Sequence, residues 1–187
     1  FGIFKTLHNL KDIPFSMFFK IFDAKIQPVL LYGSEIWGFG AHDVIEKVHL
    51  YACKRLLGVK TSTSSTMVYG ECGSFPMFLF MYKRILKYWI KLLQMPSTRY
   101  PKKCYNMLLT YEKNSHKNWA YNVKCLLQSS GYGYIWDNQS VQYPHIFISS
   151  LMQTLKDMYQ QKWLGCIKTF SKCIYYSQFK THIYTEP

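Results

Sequence analysis

His49 and Cys53 stand one helical turn apart, the spacing at which an imidazole could draw the proton from a thiol and make it a nucleophile. No serine or aspartate stands at catalytic spacing from His49, and Cys53 has apolar Tyr51 and Leu57 for neighbours. The expectation is therefore a packed or hydrogen-bonded core histidine and a small buried thiol. Polymerase chemistry by two metals needs paired carboxylates holding ions about 3.5 to 4 Å apart, and none of the ten acidic residues is adjacent to another. No catalytic residue, metal or cofactor is expected, and the chain alone reads as not an enzyme. Glu35 and Glu71, each in a glycine-flanked turn, are expected to accept backbone N–H groups at neighbouring helix starts. Asp12, Asp23, Asp43, Glu46 and Asp157 read as caps and solvated faces. The six cysteines contain no Cys-x-x-Cys pair, so a zinc knuckle is not supported, and they read as reduced thiols.

What the chain has in quantity is positive charge. Lysine and arginine number 23 against 10 acids, a formal balance of +13, which favours polyanionic partners, nucleic acid before an anionic membrane surface. Between Cys72 and Trp136 ten cations face Glu112 alone, a local balance of +9. Sixteen Tyr, 13 Phe and 5 Trp are interleaved with them, as stacking on bases would need, although rings of this size also fill cores. The helix opening at Pro76 organises part of this charge. At about 100° per residue, with Lys83 at 0°, Gln94 falls near 20°, Lys87 near 40°, Lys91 near 80° and Arg84 near 100°. Apolar residues fill most of the remaining circumference. Lys102 and Lys103 sit in the first turn of a helix opened by Pro101, where cations oppose the helix dipole, and they read as serving an external anion.

Helical spacing recurs along the chain and period-two alternation rarely persists, so the fold is expected to be all-α with no sheet of consequence. A helix from Phe15 to about Tyr32 carries Phe18, Phe19, Phe22, Ile26 and Leu30 on one side and should kink near Lys25, because Pro28 cannot bond to Ala24. A second, Asp43 to Leu57, places Val44, Val48, Tyr51, Ala52 and Leu56 inward and stops at Gly58. A short helix from Ser64 to Tyr69 is closed by Gly70 and Gly73. Beyond the basic helix come segments from Pro101 to Lys113, from Asn118 to Gln128 and from His145 to Phe170, with a turn around Gly131 and Gly133. From Lys172 onward packing cues are few. Trp37 and Trp136, each beside a turn, read as anchors. No charged segment leading into an apolar one opens the chain, so secretion and membrane spanning are not expected.

Residues 27 to 73 carry a denser signal: Pro28, Tyr32-Gly33-Ser34-Glu35-Ile36-Trp37-Gly38, Ile45-Glu46, His49, Cys53-Lys54, Leu57-Gly58-Val59 and Tyr69-Gly70-Glu71-Cys72-Gly73. In order and spacing this resembles the segment after the polymerase palm in reverse transcriptases of non-LTR, LINE-like retrotransposons. The resemblance continues more weakly through Pro101-Lys102-Lys103, Asn118-Trp119 and Gly131-Tyr132-Gly133-Tyr134-Ile135-Trp136-Asp137-Asn138-Gln139, to about residue 165. Departures are Cys72 and Met77 where Leu is usual, and Asp137 and Ser140 where Glu and Gly are commoner.

The resemblance implies the thumb and connection region of such an enzyme, detached from fingers and palm: an irregular, thumb-like bundle of about six to eight helices. Its parts would be end-of-palm or linker helices over 1–40, a helical thumb/connection domain over 41–171 and a weakly ordered tail over 172–187. The parent would be an RNA-directed DNA polymerase, and the chain, which starts at Phe1, reads as a fragment of it. The implied role is to hold the template–primer duplex by its backbone, RNA, DNA or hybrid, without reading sequence. Lys83, Arg84, Lys87, Lys91, Lys102 and Lys103 are the candidate contact residues. The implied partners are nucleic acid and the missing fingers and palm, with no membrane, in the nucleus or cytoplasm. A reading of a different class is a helical protein-interaction or scaffold domain whose basic face is merely solvated.

Overall fold

The structure is a computed structural model that describes residues 14–40, 42–114 and 116–183. Its elements are helical: α1 (Phe15–Ile21), a π-helical segment (Phe22–Ile26), α2 (Gln27–Leu30), α3 (Ser34–Trp37), α4 (His42–Leu56), α5 (Ser65–Cys72), α6 (Met77–Gln94), α7 (Tyr100–Lys113), α8 (Trp119–Ser129), α9 (Gly133–Asn138) and α10 (Pro144–Thr169), then single 3₁₀ turns at Ser171–Cys173 and Tyr176–Gln178. No strand occurs among the described residues, so the fold is an all-α assembly of many helices. No described helix is long and apolar enough to cross a membrane. The chain divides into two compact units: the first holds residues up to Tyr32, Ala41–Phe78 and Met158 onward, and the second holds Gly33–Gly40 and Leu79–Asp157.

In the first unit, Pro28 acts as its chemistry requires. It has no N–H for the Ala24 carbonyl, and the helix widens just before it, with the Gln27 N–H reaching back five residues to Phe22. The wider turn slips the helical phase by one position. Phe18, Phe22 and Ile26 are buried at intervals of four, and Leu31, five residues on, takes the core position expected for Leu30. The outward face of α4 also differs from expectation. Val44 and Tyr51 are exposed, and the core side of the helix is His49, Ala52 and Cys53. A polar residue sets that orientation, as the network around Glu46 shows below. The end of α4 follows the sequence: Gly58 takes φ +65°, the Val59 N–H returns to the Lys54 carbonyl at 3.1 Å, and Lys54 Nζ caps Thr61 O at 2.6 Å.

Gly70 lies inside α5 instead of closing it; Gly73, at φ +58°, is the terminator. The reason is steric. A Cβ on Gly70 would fall on the Tyr176 hydroxyl and 2.8 Å from Trp163 Cζ2. Trp163 and Ile167 of α10 form a core cluster with Cys173 and Ile183, and Met67, Phe75, Tyr159 and Tyr176 pack around it. Residues after Lys172 therefore contribute to a core although their sequence offers little periodicity.

The second unit is built along α6, which buries Leu79, Met81, Ile85, Leu86, Trp89, Ile90 and Leu92. Pro76 precedes its first residue and Pro96 follows its last turn. Asn118 caps α8, its Oδ1 accepting the Tyr121 N–H at 3.0 Å. The turn expected around Gly131 forms, with Gly131 at φ +81°, and a short helix that the sequence reading did not select, α9, follows it.

We expect Gly70→Ala to lower stability by about 1 to 3 kcal/mol, because the overpacking outweighs the helix propensity that alanine gains. Tyr176→Phe removes the clashing oxygen, so the double variant should lose less than the sum of the two singles in urea denaturation. Strict additivity would refute this account of Gly70.

Candidate nucleic-acid interface

Lys83, Lys87 and Lys91 all lie exposed along α6, one turn apart, and none forms an ion pair among the described residues. Arg84, expected on the same stripe, turns aside. Its Nε and Nη2 both approach Glu35 Oε2 at 3.3 Å. Glu35 is thus an ion-pair partner of Arg84 and not a cap for a neighbouring helix, while its backbone carbonyl accepts the Trp119 indole N–H at 3.0 Å. Being partly exposed, the pair contributes little to stability and instead withdraws one cation from the surface.

Lys102 and Lys103 also have local partners that the sequence concealed. Lys102 Nζ lies 3.4 Å from the Leu93 carbonyl and 5.4 Å from the centre of the Tyr105 ring; Lys103 Nζ lies 5.6 Å from the centre of the Tyr100 ring. The carbonyl and ring faces offset the unfavourable dipole, so the cost of placing cations there does not require an external anion.

Lys83 and Lys87 join residues that the sequence reading did not select. With His145, Ser149 and Lys156 of α10 they line a groove of about 340 Å³. The missed signal is a helical spacing: 145, 149 and 156 fall within about 40° on one face of α10. Glu112, the lone carboxylate between Cys72 and Trp136, is engaged elsewhere. Lys124 Nζ sits 2.7 Å from its Oε1, and that hydrogen bond raises the Lys124 ammonium above its ordinary pKa.

The Gly131–Gln139 motif supports the second unit from beneath. The Trp89 indole N–H donates to Tyr105 Oη at 2.8 Å, the Tyr105 hydroxyl donates to Gln139 Oε1 at 2.6 Å, and Gln139 Nε2 donates to the Trp136 carbonyl at 2.6 Å. Trp136 stacks on Trp89 with centroids 6.0 Å apart and planes 19° from parallel, the anchor that its position beside a turn implied. Gln139 holds φ +47°, a strained value for a residue with a side chain, and its two side-chain bonds stabilise that turn. Trp37, by contrast, is partly exposed.

In the first unit the fold brings Ser74 to His49, which the linear spacing did not show. Ser74 Oγ is 3.2 Å from His49 Nε2, and His49 Nδ1 is 3.5 Å from Glu46 Oε1. The order Ser–His–Glu resembles a hydrolytic relay, but the surroundings assign it to packing. His49 is 2% exposed between the Phe22 and Tyr69 rings. Glu46 is committed to the Tyr69 hydroxyl and, through Oε2, to the Met77 N–H at 2.9 Å. Glu46 therefore caps the first residue of α6 from α4, the capping use that the sequence offered for it beside a solvated one. Glu71 likewise has a side-chain donor, the Tyr176 hydroxyl at 2.7 Å.

Cys53 is buried, and the adjacent Cys72 thiol, together with burial, pushes its pKa far up, so it is no nucleophile at neutral pH. No group of three or more His, Cys, Asp or Glu that could hold a metal occurs among the described residues. Asp12 lies outside them. Comparison with known families, with curated proteins and with solved structures finds no match.

Burial, opposed by the bonds from Trp89 and to Gln139, pushes the Tyr105 hydroxyl up to about 12. Since an unfolded tyrosine ionises near 10, the folded state holds this proton more tightly. Its contribution is complete below about pH 10 and is lost as pH rises to about 12, on the order of 2 kcal/mol. Tyr105→Phe should flatten the fall of stability across that window in denaturant titrations; an identical slope would refute the assignment.

Proposed function

We propose that the chain is a non-catalytic portion of a LINE-like retrotransposon reverse transcriptase that contacts the backbone of nucleic acid. The observation that carries this reading is the exposed row of Lys83, Lys87 and Lys91, none of them in an ion pair among the described residues, with Lys83 and Lys87 sharing one groove with His145 and Lys156. A row of ammonium groups one helical turn apart, about 5 to 6 Å, suits successive phosphates and carries no means of reading base edges. The palm-proximal motif supplies the family, and the net charge of +13 supplies the long-range attraction. Lys102 and Lys103 contribute to the surface field, and Arg84 is a weaker contact residue because Glu35 competes for it. The partners in this reading are RNA, DNA or hybrid duplex and the fingers and palm of the parent polymerase, inside the cell.

Fluorescence anisotropy with a hybrid duplex should give micromolar, sequence-tolerant binding whose logarithm falls with log salt at a slope near about −4, for four or five phosphates neutralised. Replacing Lys83, Lys87 and Lys91 together by Gln should flatten that slope by about 2 to 3 units while circular dichroism stays constant. Unchanged binding at unchanged helicity would overturn the assignment and leave the basic face a solvated one, as in a scaffold domain.

A further inference from the structure

α10 separates two grooves of opposite character. On one side is the basic groove of Lys83, Lys87, His145 and Lys156. On the other is a groove of about 430 Å³ lined by Tyr132, Tyr134, Asn138, Tyr143, Ile146 and Phe147, with no charged side chain in its lining. Helical geometry makes the division. With His145 at 0°, Ser149 and Lys156 fall at about 40° and 20°, whereas Ile146, Phe147 and Ser150 fall at about 100°, 200° and 140°.

The aromatic groove is built, and part of it is held in place. The Tyr132 ring lies edge-on to Phe147 at 5.6 Å, and its hydroxyl is 2.7 Å from Ser150 Oγ. Tyr134 stands 6.4 Å from Tyr132, and both Tyr134 and Tyr143 are 61% exposed. Large rings beside a fixed one leave most of their area in water, and a planar ligand would cover it. With no cation in its lining, this side offers a phosphate no charge partner and suits a neutral occupant. A groove of cations on the other side calls for phosphate. A polynucleotide strand supplies both, phosphates on its backbone and neutral flat bases, but only where the bases are unpaired.

We propose that α10 is a saddle for single-stranded nucleic acid, with backbone phosphates in the Lys83, Lys87 and Lys156 groove and unpaired bases stacked on Tyr134 and Tyr143. The inference deepens the nucleic-acid reading above and rests on it, naming unpaired strand as the preferred substrate. The helix is about 10 to 12 Å thick with its side chains, so a strand a few nucleotides long spans the two sides.

The test uses the full chain with fluorescein-labelled single strands, RNA and DNA, and with a blunt duplex carrying the same number of phosphates, followed by anisotropy. The unpaired strands should bind at least about ten-fold more tightly than the blunt duplex. Tyr134→Ala with Tyr143→Ala should cost the single strand about ten-fold or more and change duplex binding less than two-fold, while the corresponding Phe variants keep wild-type affinity. A strand carrying 2-aminopurine should lose fluorescence on binding wild type and not on binding the Ala variant. Equal affinity for strand and duplex, or equal loss on both in the Ala variant, overturns the saddle but leaves backbone contact standing. Self-association of the chain that the Ala variant abolishes would also overturn it, assigning the tyrosines to a second copy. Failure to bind either nucleic acid overturns the saddle and the function proposed above together.

Discussion

A buried indole N–H must find an acceptor, and in the second unit that requirement falls on Trp89. Its only donor is satisfied by the Tyr105 hydroxyl, whose own proton goes to Gln139 and whose ring lies edge-on to Trp119. Four helices meet at this chain of bonds: α6 through Trp89, α7 through Tyr105, α8 through Trp119 and α9 through Trp136 and the residue that ends it. Apolar contact alone would leave these helices free to slide, since burial has no preferred direction. The hydrogen-bond chain gives one arrangement a clear advantage, because every alternative strands a donor at about 1 to 3 kcal/mol. The basic row of α6 and the tyrosines around α9 inherit their positions from it.

The first unit solves a similar problem with a carboxylate. Glu46 reaches from α4 to a hydroxyl on α5 and to the first N–H of α6, and it thereby turns His49 and Cys53 inward. The Ile-Glu-x-x-His pattern thus has a mechanical meaning that needs no substrate. Glu35 plays a comparable part at Arg84. Acids are scarce in this chain, and those with described side-chain partners are used to position cations, hydroxyls and amides.

The features that were legible in the sequence are those decided within a few residues: the wide turn before Pro28, the left-handed glycines at 58 and 73, the Asn118 cap, the prolines bounding α6 and the outward lysines upon it. The features that were not legible depend on partners distant along the chain. Gly70 reads as a helix stop until Trp163 and Tyr176 arrive over it. Lys102 and Lys103 read as unsupported until Leu93 and the tyrosine rings are placed. Arg84 belongs to the lysine stripe by angle alone and leaves it because Glu35, 49 residues away, binds its guanidinium. The basic groove needed residues 145 and 156 beside 83 and 87, a pairing that only helix packing supplies. The phase slip that substitutes Leu31 for Leu30 shows the limit most clearly: one missing N–H moves the next core position by a residue.

Glu112 is bound to Lys124, so the other nine cations between Cys72 and Trp136 have no carboxylate from that span to offset them, apart from Arg84, which borrows Glu35. Like charges without counter-charges repel one another, and a balance of +13 makes that repulsion part of the native state. Any polyanion that settles on those cations relieves the repulsion as well as making contacts, and so do small mobile ions at high concentration. Occupancy and folding are thereby linked through a single energy: the molecule becomes sturdier with its surface covered.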